Sequence, residues 1–262
     1  MGAQIVFTCS IDDGHPLDFK TAELLDKHGL KATFYVPIKN REGMQVMPRE
    51  DLRALSRRFE IGSHTYDHCY LRDLDVRRTY YQIAEGKFQL EDILGLEVAG
   101  FCYPGGKYRR KDIELVKACG FRYARTTANL FLDAGRTRFE MPTTLQFYPH
   151  RREVYVRNFI RSGRWIKRAG PLWFALMHED WSRRLHALFD HACDHGGVFH
   201  LWGHSKQIEE LKAWPLLDAF FAYVARRLGP EECLTNGELA ERMFKAGALR
   251  VARPTDGAAL QG

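Results

Sequence analysis

Short β-rich runs alternate with longer helical ones along most of this chain, and that alternation confines it to a parallel sheet wrapped by helices. Residues 4–10 read as a strand, 16–28 as a helix stopped by Gly29, and 32–36 as a second strand. Pro48 opens a helix through Arg58, and 59–63 is strand-like. Asp75 is placed to N-cap a long helix through Leu94, with Gly95 as its stop. A strand over 98–103, a helix to Cys119 with a Gly120 stop, and a strand over 122–126 continue the series. Regularity fails over 127–177, where Gly, Pro, aromatics and Arg mix without a period, and this stretch reads as an irregular insertion. Order returns with a helix over 181–195, a strand over 198–202, a helix near 214–228 and a short strand at Cys233. Thr235-Asn236 caps a last helix ending near Ala246. Residues 1–247 read as one domain and 248–262 as a flexible C-terminal tail.

With 262 residues, 45% of them apolar, the chain can bury a substantial core. It has no run approaching the roughly 18 apolar residues of a membrane span, and no basic-then-apolar secretory leader. Val6 stands where myristoylation at Gly2 needs Ser or Thr. The six cysteines are dispersed with no Cys-x-x-Cys pair, which predicts reduced thiols used as small buried hydrophobes. A cytoplasmic protein is expected on these grounds.

Charge is more informative in its placement than in its size. Residues 151–168 hold seven basic side chains against Glu153 alone and so carry the whole net charge of +6. The neutral remainder argues against a nucleic-acid binder. Arg157, Arg161, Arg164 and Arg168 recur at three- and four-residue steps with Phe159, Trp165 and Ile166 between them. If 154–168 is one helix, they share a face that would meet an anionic membrane surface, peripheral to the inner membrane, or an acidic polymer. A solvated helix face is the plainer reading.

Four polar clusters fall where strands end, at the carboxyl edge on which such sheets gather their chemistry. Asp12 and Asp13 follow the first strand, His64 and His68 the third, Pro104-Gly105-Gly106 the fourth, and His204 the strand over 198–202. Two imidazoles and a carboxylate can bind a divalent first-row metal with positions left open. Successive side chains on extended backbone diverge, so one of Asp12 and Asp13 can ligate while its neighbour stays free as a base. A His opposite can protonate a leaving group.

Ser10-Ile11-Asp12-Asp13-Gly14 resembles the Thr-Phe-Asp-Asp-Gly signature of the polysaccharide deacetylases, carbohydrate esterase family 4 with its NodB-homology domain. His64-Thr65-Tyr66-Asp67-His68 matches that family's His-Ser/Thr-x-x-His motif, Phe101 to Gly106 resembles the third motif, and Leu201 to Ser205 the fifth. The resemblance implies an α/β fold, a distorted TIM-barrel-like (β/α) barrel of about seven strands. It makes Asp13, His64 and His68 the metal ligands, Asp12 the general base and His204 the general acid, with the Gly105 N–H facing an oxyanion. The implied cofactor is a divalent ion, zinc first, with Co2+, Ni2+, Mn2+ or Fe2+ as alternatives. The implied reaction removes an acetyl group, N-acetyl foremost, from an acetylated glycan or oligosaccharide. Tyr103, Tyr108 and Trp202 are candidates to stack on pyranose faces.

Two departures from the family pattern stand out. Cys102 occupies the place of an Arg that orients the catalytic Asp, leaving Arg109, Arg122 or Arg125 to substitute. The fourth motif's Asp and Trp have their letters only at Asp180-Trp181, where Asp180 reads as a helix N-cap. The partner of the catalytic His is thus unassigned, and His200 rivals His204 as the acid. Hydrolysis of a small non-sugar amide, and a catalytically silent protein that keeps metal and binds carbohydrate, are the competing functions.

Overall fold

The computed structural model describes residues 5–244. β1 (Ile5–Asp12) leads into α1 (Asp18–Lys27), β2 (Thr33–Val36), α2 (Arg49–Ser56), β3 (Glu60–Ser63) and α3 (Val76–Leu94). β4 (Gly100–Cys102), α4 (Arg110–Ala118) and β5 (Tyr123–Arg125) follow. Then come β6 (Leu145–Gln146), α5 (Arg152–Ser162), α6 (Trp165–Met177), α7 (Trp181–His195) and β7 (Gly197–Gly203). The described part ends with α8 (Ser205–Glu210), α9 (Trp214–Arg227), β8 (Cys233–Leu234) and α10 (Asn236–Phe244). The tail expected over 248–262 lies outside the described residues.

The strands run in the order β5-β4-β3-β2-β1-β7-β6, every pair parallel, with β8 beside β1. This is the expected distorted barrel. From its β5 edge the chain pairs with the stretch before β6, through a bridge from Arg125 to Met141 and the Thr126 N–H donating to the Met141 carbonyl at 2.8 Å. β1 is buried along its whole length because both its faces are covered. Ile5, Phe7, Cys9 and Ile11 pack beneath the helices, whereas Val6 lies in the smaller cluster inside the barrel.

That interior is polar where it approaches the site. The Ser10 hydroxyl bonds His200 Nε2 at 2.9 Å, Asn236 Nδ2 donates to Thr8 Oγ1 at 2.8 Å, and the Tyr35 hydroxyl donates to Asn236 Oδ1 at 2.8 Å. Burial, reinforced by Arg125, drives the His200 pKa well below its ordinary value. His200 is therefore a buried, neutral side chain bonded to Ser10, which argues for His204 over it as the acid.

Caps explain the helices that the sequence delimits well. The Asp75 carboxylate accepts from the Arg78 N–H at α3's start and Gly95 ends that helix in the left-handed region, while Asp180 accepts from the Arg183 N–H at 2.7 Å and caps α7. The expected insertion is more ordered than its composition suggests, holding β6, α5 and α6. One basic helix over 154–168 does not form, because Gly163 (φ 63°) and Arg164 (φ 54°) turn left-handed and split it. Arg164 then pairs with Asp133, and Arg168 points inward to the carbonyls of Asn129, Phe159 and Gly163. The shared cationic face expected for a membrane surface is absent among the described residues, and α6 exposes Trp165, Ile166 and Trp173 instead. No helix of the described residues is long and apolar enough to cross a membrane.

Asp18, at the start of α1, is fully buried, and neither of its carboxylate oxygens has a hydrogen-bond partner. Burial raises its pKa well above the usual carboxylate value. The stability it contributes as a neutral acid is complete below its unfolded pKa of about 3.9 and drains as pH climbs toward the folded value. Asp18→Asn is expected to leave stability nearly unchanged at pH 4 and to raise it by about 1–3 kcal/mol at pH 8. Urea denaturation at the two pH values reads the difference.

Candidate active site

At the mouth of the barrel β1 ends on Asp12, and the next residue, Asp13, turns into the left-handed region at φ 81°. The turn separates the two carboxylates. Asp12 stays inside the barrel, 2% exposed, and Asp13 swings toward the loop after β3. In that loop Thr65 (φ 67°) and His68 (φ 59°) are also left-handed, conformations that cost about 1–3 kcal/mol each and persist only where neighbours over-determine them. α3 supplies the constraint: the Tyr66 N–H donates to the Gln82 carbonyl at 2.9 Å, and the Asp67 N–H donates to Gln82 Oε1 at 3.1 Å. Gly86, one turn on, lets the helix lie against the loop backbone.

A Cβ at Gly86 would stand 2.8 Å from the Thr65 carbonyl carbon and 2.9 Å from the Tyr66 nitrogen. Gly86→Ala should therefore destabilise by about 1–3 kcal/mol through overpacking, although Ala gains about 1 kcal/mol of helix propensity. It should also loosen metal binding, because the displaced loop carries both histidines. Thermal melts and metal titration of this variant check both effects.

Asp13, His64 and His68 present donor atoms within 4.8 Å of one another. His68 Nε2 and His64 Nε2 lie 3.2 Å and 3.7 Å from Asp13 Oδ1, an oxygen that is buried and without a hydrogen-bond partner. Ligands of a tetrahedral zinc, each about 2.0–2.1 Å from the ion, stand about 3.3 Å apart. The residues present thus fit a divalent ion. His64 Nδ1–H donates to the Cys102 carbonyl at 2.9 Å, which fixes the tautomer and frees Nε2 for the ion. Burial lowers the His64 pKa to about 4, so the ring is neutral and ready to ligate. For Asp13, burial opposes the charge, but His68, His204 and His64 outweigh it and hold the carboxyl well below the usual range.

Asp12, His64 and Cys102 form a second close group. Burial pushes the Cys102 thiol far up, so it is a protonated neighbour lying 3.9 Å from Asp12 Oδ2. The other oxygen of Asp12 is taken by Arg125, which is fully buried. Burial opposes the guanidinium charge and Asp12 restores it. Arg125 sits directly opposite Cys102 in the β4–β5 ladder and reaches Asp12 from the next strand, with its guanidinium 5.0 Å from the Trp202 ring centre. Of the three substitutes open from sequence, Arg125 is the one that pairs with Asp12. Arg109 caps α4 through Asp112, and Arg122 pairs with Glu97 on the surface.

His204 closes the opposite side, its Nε2 3.8 Å from Asp13 Oδ2. Its Nδ1–H donates to Gln207 Oε1 at 2.9 Å, and a relay behind it runs from His150 Nε2–H to Gln146 Oε1 (2.7 Å) and from Gln146 Nε2 to Gln207 Oε1 (3.2 Å). Burial, with Arg184 and Arg157 nearby, lowers the His150 pKa to about 4 and keeps it a neutral donor. Gln207 is the partner sequence reasoning left unassigned. Its only signal is its place three residues after His204, on α8, a helix of six residues that the sequence did not reveal.

Among the expected sugar-stacking residues, Tyr108 and Trp202 line a cleft of about 920 Å³ together with Gly105. Tyr103 does not: it is fully buried, covered by Tyr108 at a ring separation of 4.1 Å, and its hydroxyl donates to the Phe139 carbonyl. The stacking assigned to Tyr103 is corrected to core packing.

Residues 3–124 match the family model described as polysaccharide deacetylase. An uncharacterized protein of Bacillus subtilis, YlxY, is 27% identical over 113 residues, which span 42% of this chain and 34% of that protein. Among solved structures, a candidate polysaccharide deacetylase from Mycobacterium smegmatis superposes with a TM-score of 0.64 at 18% identity, covering 94% of this chain and 92% of that one. A family 4 acetyl xylan esterase from Clostridium thermocellum, in complex with a cobalt ion, gives 0.55 at 16% identity, covering 91% and 90%. The chain has the barrel of the carbohydrate esterase family 4 deacetylases. Over its N-terminal strands it carries the polysaccharide deacetylase sequence, as the Asp12-Asp13 and His64–His68 motifs led us to expect.

Proposed function

We propose that residues 1–247 form a metal-dependent hydrolase that removes an acetyl group, N-acetyl foremost, from a sugar of a polysaccharide or oligosaccharide. The observation that carries this reading is the convergence of Asp13, His64 and His68 donor atoms within 4.8 Å, flanked by Asp12 and His204. A divalent ion held by those three, zinc or another first-row metal, supplies Lewis acidity and a water acidified toward neutral pH. Asp12 accepts the proton of the attacking water, and Arg125 fixes the carboxylate that does so. The Gly105 N–H faces the carbonyl oxygen as charge develops on it. His204 Nε2–H delivers a proton to the departing sugar nitrogen while Gln207 holds the ring through Nδ1. Tyr108 and Trp202 offer faces to the sugar, and the dispersed thiols keep a cytoplasmic setting part of this reading.

Both competing functions lose support. A cleft of about 920 Å³ is large for a small amide, and the Asp12–Arg125 pair supplies one of the two supporting contacts whose loss, in the third and fourth motifs, favoured a silent binder. Chain stripped by chelator and reloaded with Zn2+ or Co2+ should release acetate from acetylated chitooligosaccharides or from another acetylated glycan. Asp12→Asn should lower the rate by at least about 10³-fold. Bound metal with no acetate from any acetylated sugar would overturn the proposal.

A further inference from the structure

The cleft that opens from the site gathers cations from four separate stretches of chain. Arg72 comes from the loop after His68, Lys107 from the segment after β4, Arg136 from the stretch before β6, and Arg157 and Arg161 from α5. Among the described residues none of these five pairs with a carboxylate. Arg164, the sixth lining cation, is neutralised by Asp133. Glu140 is the one acidic residue of the lining, and the Tyr108 hydroxyl already donates to it.

Drawing five like charges into one concavity raises the free energy of the folded chain unless a counter-charge arrives, and a cleft with low-dielectric walls focuses their field on whatever enters. Two further atoms await partners in the same lining: Asn129 Oδ1 and Trp202 Nε1 are buried and make no hydrogen bond. The cleft is continuous with the chemistry, since Gly105, Gln146 and Trp202 belong both to its wall and to the site.

We propose that the substrate is an acidic glycan whose carboxylate or phosphate groups are held by Arg157, Arg161, Arg136, Arg72 and Lys107 while an acetylated sugar lies at the metal end of the cleft. This rests on the acyl-sugar reading above. Guanidinium forks grip either anion in bidentate fashion, so the shared chemistry is an oxyanion on a sugar. Sorting of four basic side chains supports it: the cations that the sequence aligns on one outer face instead divide between the interior (Arg168), an ion pair (Arg164) and this cleft (Arg157, Arg161).

Calorimetry on the metal-loaded chain tests binding without any turnover, using unacetylated probes. These are a pentamer of galacturonic acid, a phosphorylated manno-oligosaccharide, neutral chitopentaose and a single-stranded oligonucleotide. At least one charged glycan should bind about tenfold or more tighter than chitopentaose, and weaken as salt rises. The better of the two assigns carboxylate or phosphate. Arg136→Gln/Arg161→Gln should abolish that preference while leaving chitopentaose affinity and acetate release from acetylated chitooligosaccharides within about twofold. Equal binding of charged and neutral glycans, tighter binding of the oligonucleotide, or a preference that survives the double substitution would overturn the inference. A charge preference that depends on the arginines, with no acetate released from any glycan, would sink the deacetylase reading and keep the anionic site.

Discussion

Arg125→Met is expected to cut acetate release by about 10²–10³-fold while leaving the bound metal in place, because Asp12, the proposed base, loses the group that orients it. The same substitution strands the buried Asp12 carboxylate beside a methionine. Removing one partner of a buried ion pair costs about 3–5 kcal/mol, so the variant should also melt markedly earlier. These two readouts are separated by a third chain, Cys102→Arg/Arg125→Cys, which moves the guanidinium one strand over to the position where the deacetylases resembled in sequence carry it. Cys102 and Arg125 are register partners, so the exchange keeps total volume and charge. It should recover at least about tenfold of the lost rate, whereas wild-type turnover in Arg125→Met would show that Asp12 does not depend on this contact.

Asp13→Gly should abolish metal binding and activity together, and should change the stability of the metal-free chain far less than that of the loaded one. The residue sits at φ 81°, where glycine is at ease and an aspartate is strained, but its carboxylate is held by His68, His204 and His64, so the two effects oppose each other. Relief of the backbone strain is worth about 1–3 kcal/mol and offsets the lost attraction to the histidines. Metal widens the gap. At a hundredfold excess over its dissociation constant an ion that binds only the native chain adds about 2.7 kcal/mol to the parent and nothing to the variant. Melting curves of both chains with chelator and with Zn2+, beside metal content by mass spectrometry, should show this widening. Equal metal content, or equal stabilisation of both chains by Zn2+, would show that Asp13 is not a ligand.

How much of this was legible beforehand follows from the range of the forces involved. α3 was readable to its ends because an N-cap Asp and a C-terminal Gly act within one turn. The clusters at the strand ends were readable for the same local reason. What Asp12 pairs with was not, since Arg125 arrives 113 residues later and only the ladder register decides among three arginines. Gln207 stayed hidden on a helix too short to show a period, and β6, with two residues, has no pattern at all. The basic stretch misled because a helical spacing of arginines persists through Gly163, while the backbone there does not. Tyr103 misled in another way: strand-end position suggests access, but the ring of Tyr108 lies over it.

The register of Cys102 against Arg125 bears on how such sites change over time. Neighbouring strands stand about 4.8 Å apart, whereas two residues along one strand, the next step on the same face, are separated by about 6.6 Å. A functional side chain is therefore displaced less by hopping sideways to the adjacent strand than by sliding along its own. Long guanidinium arms absorb that small lateral step easily. In sheets of this kind a constellation can keep its shape while its members trade places in the linear order, so a gap in a motif is a reason to look one strand over before declaring a site defunct.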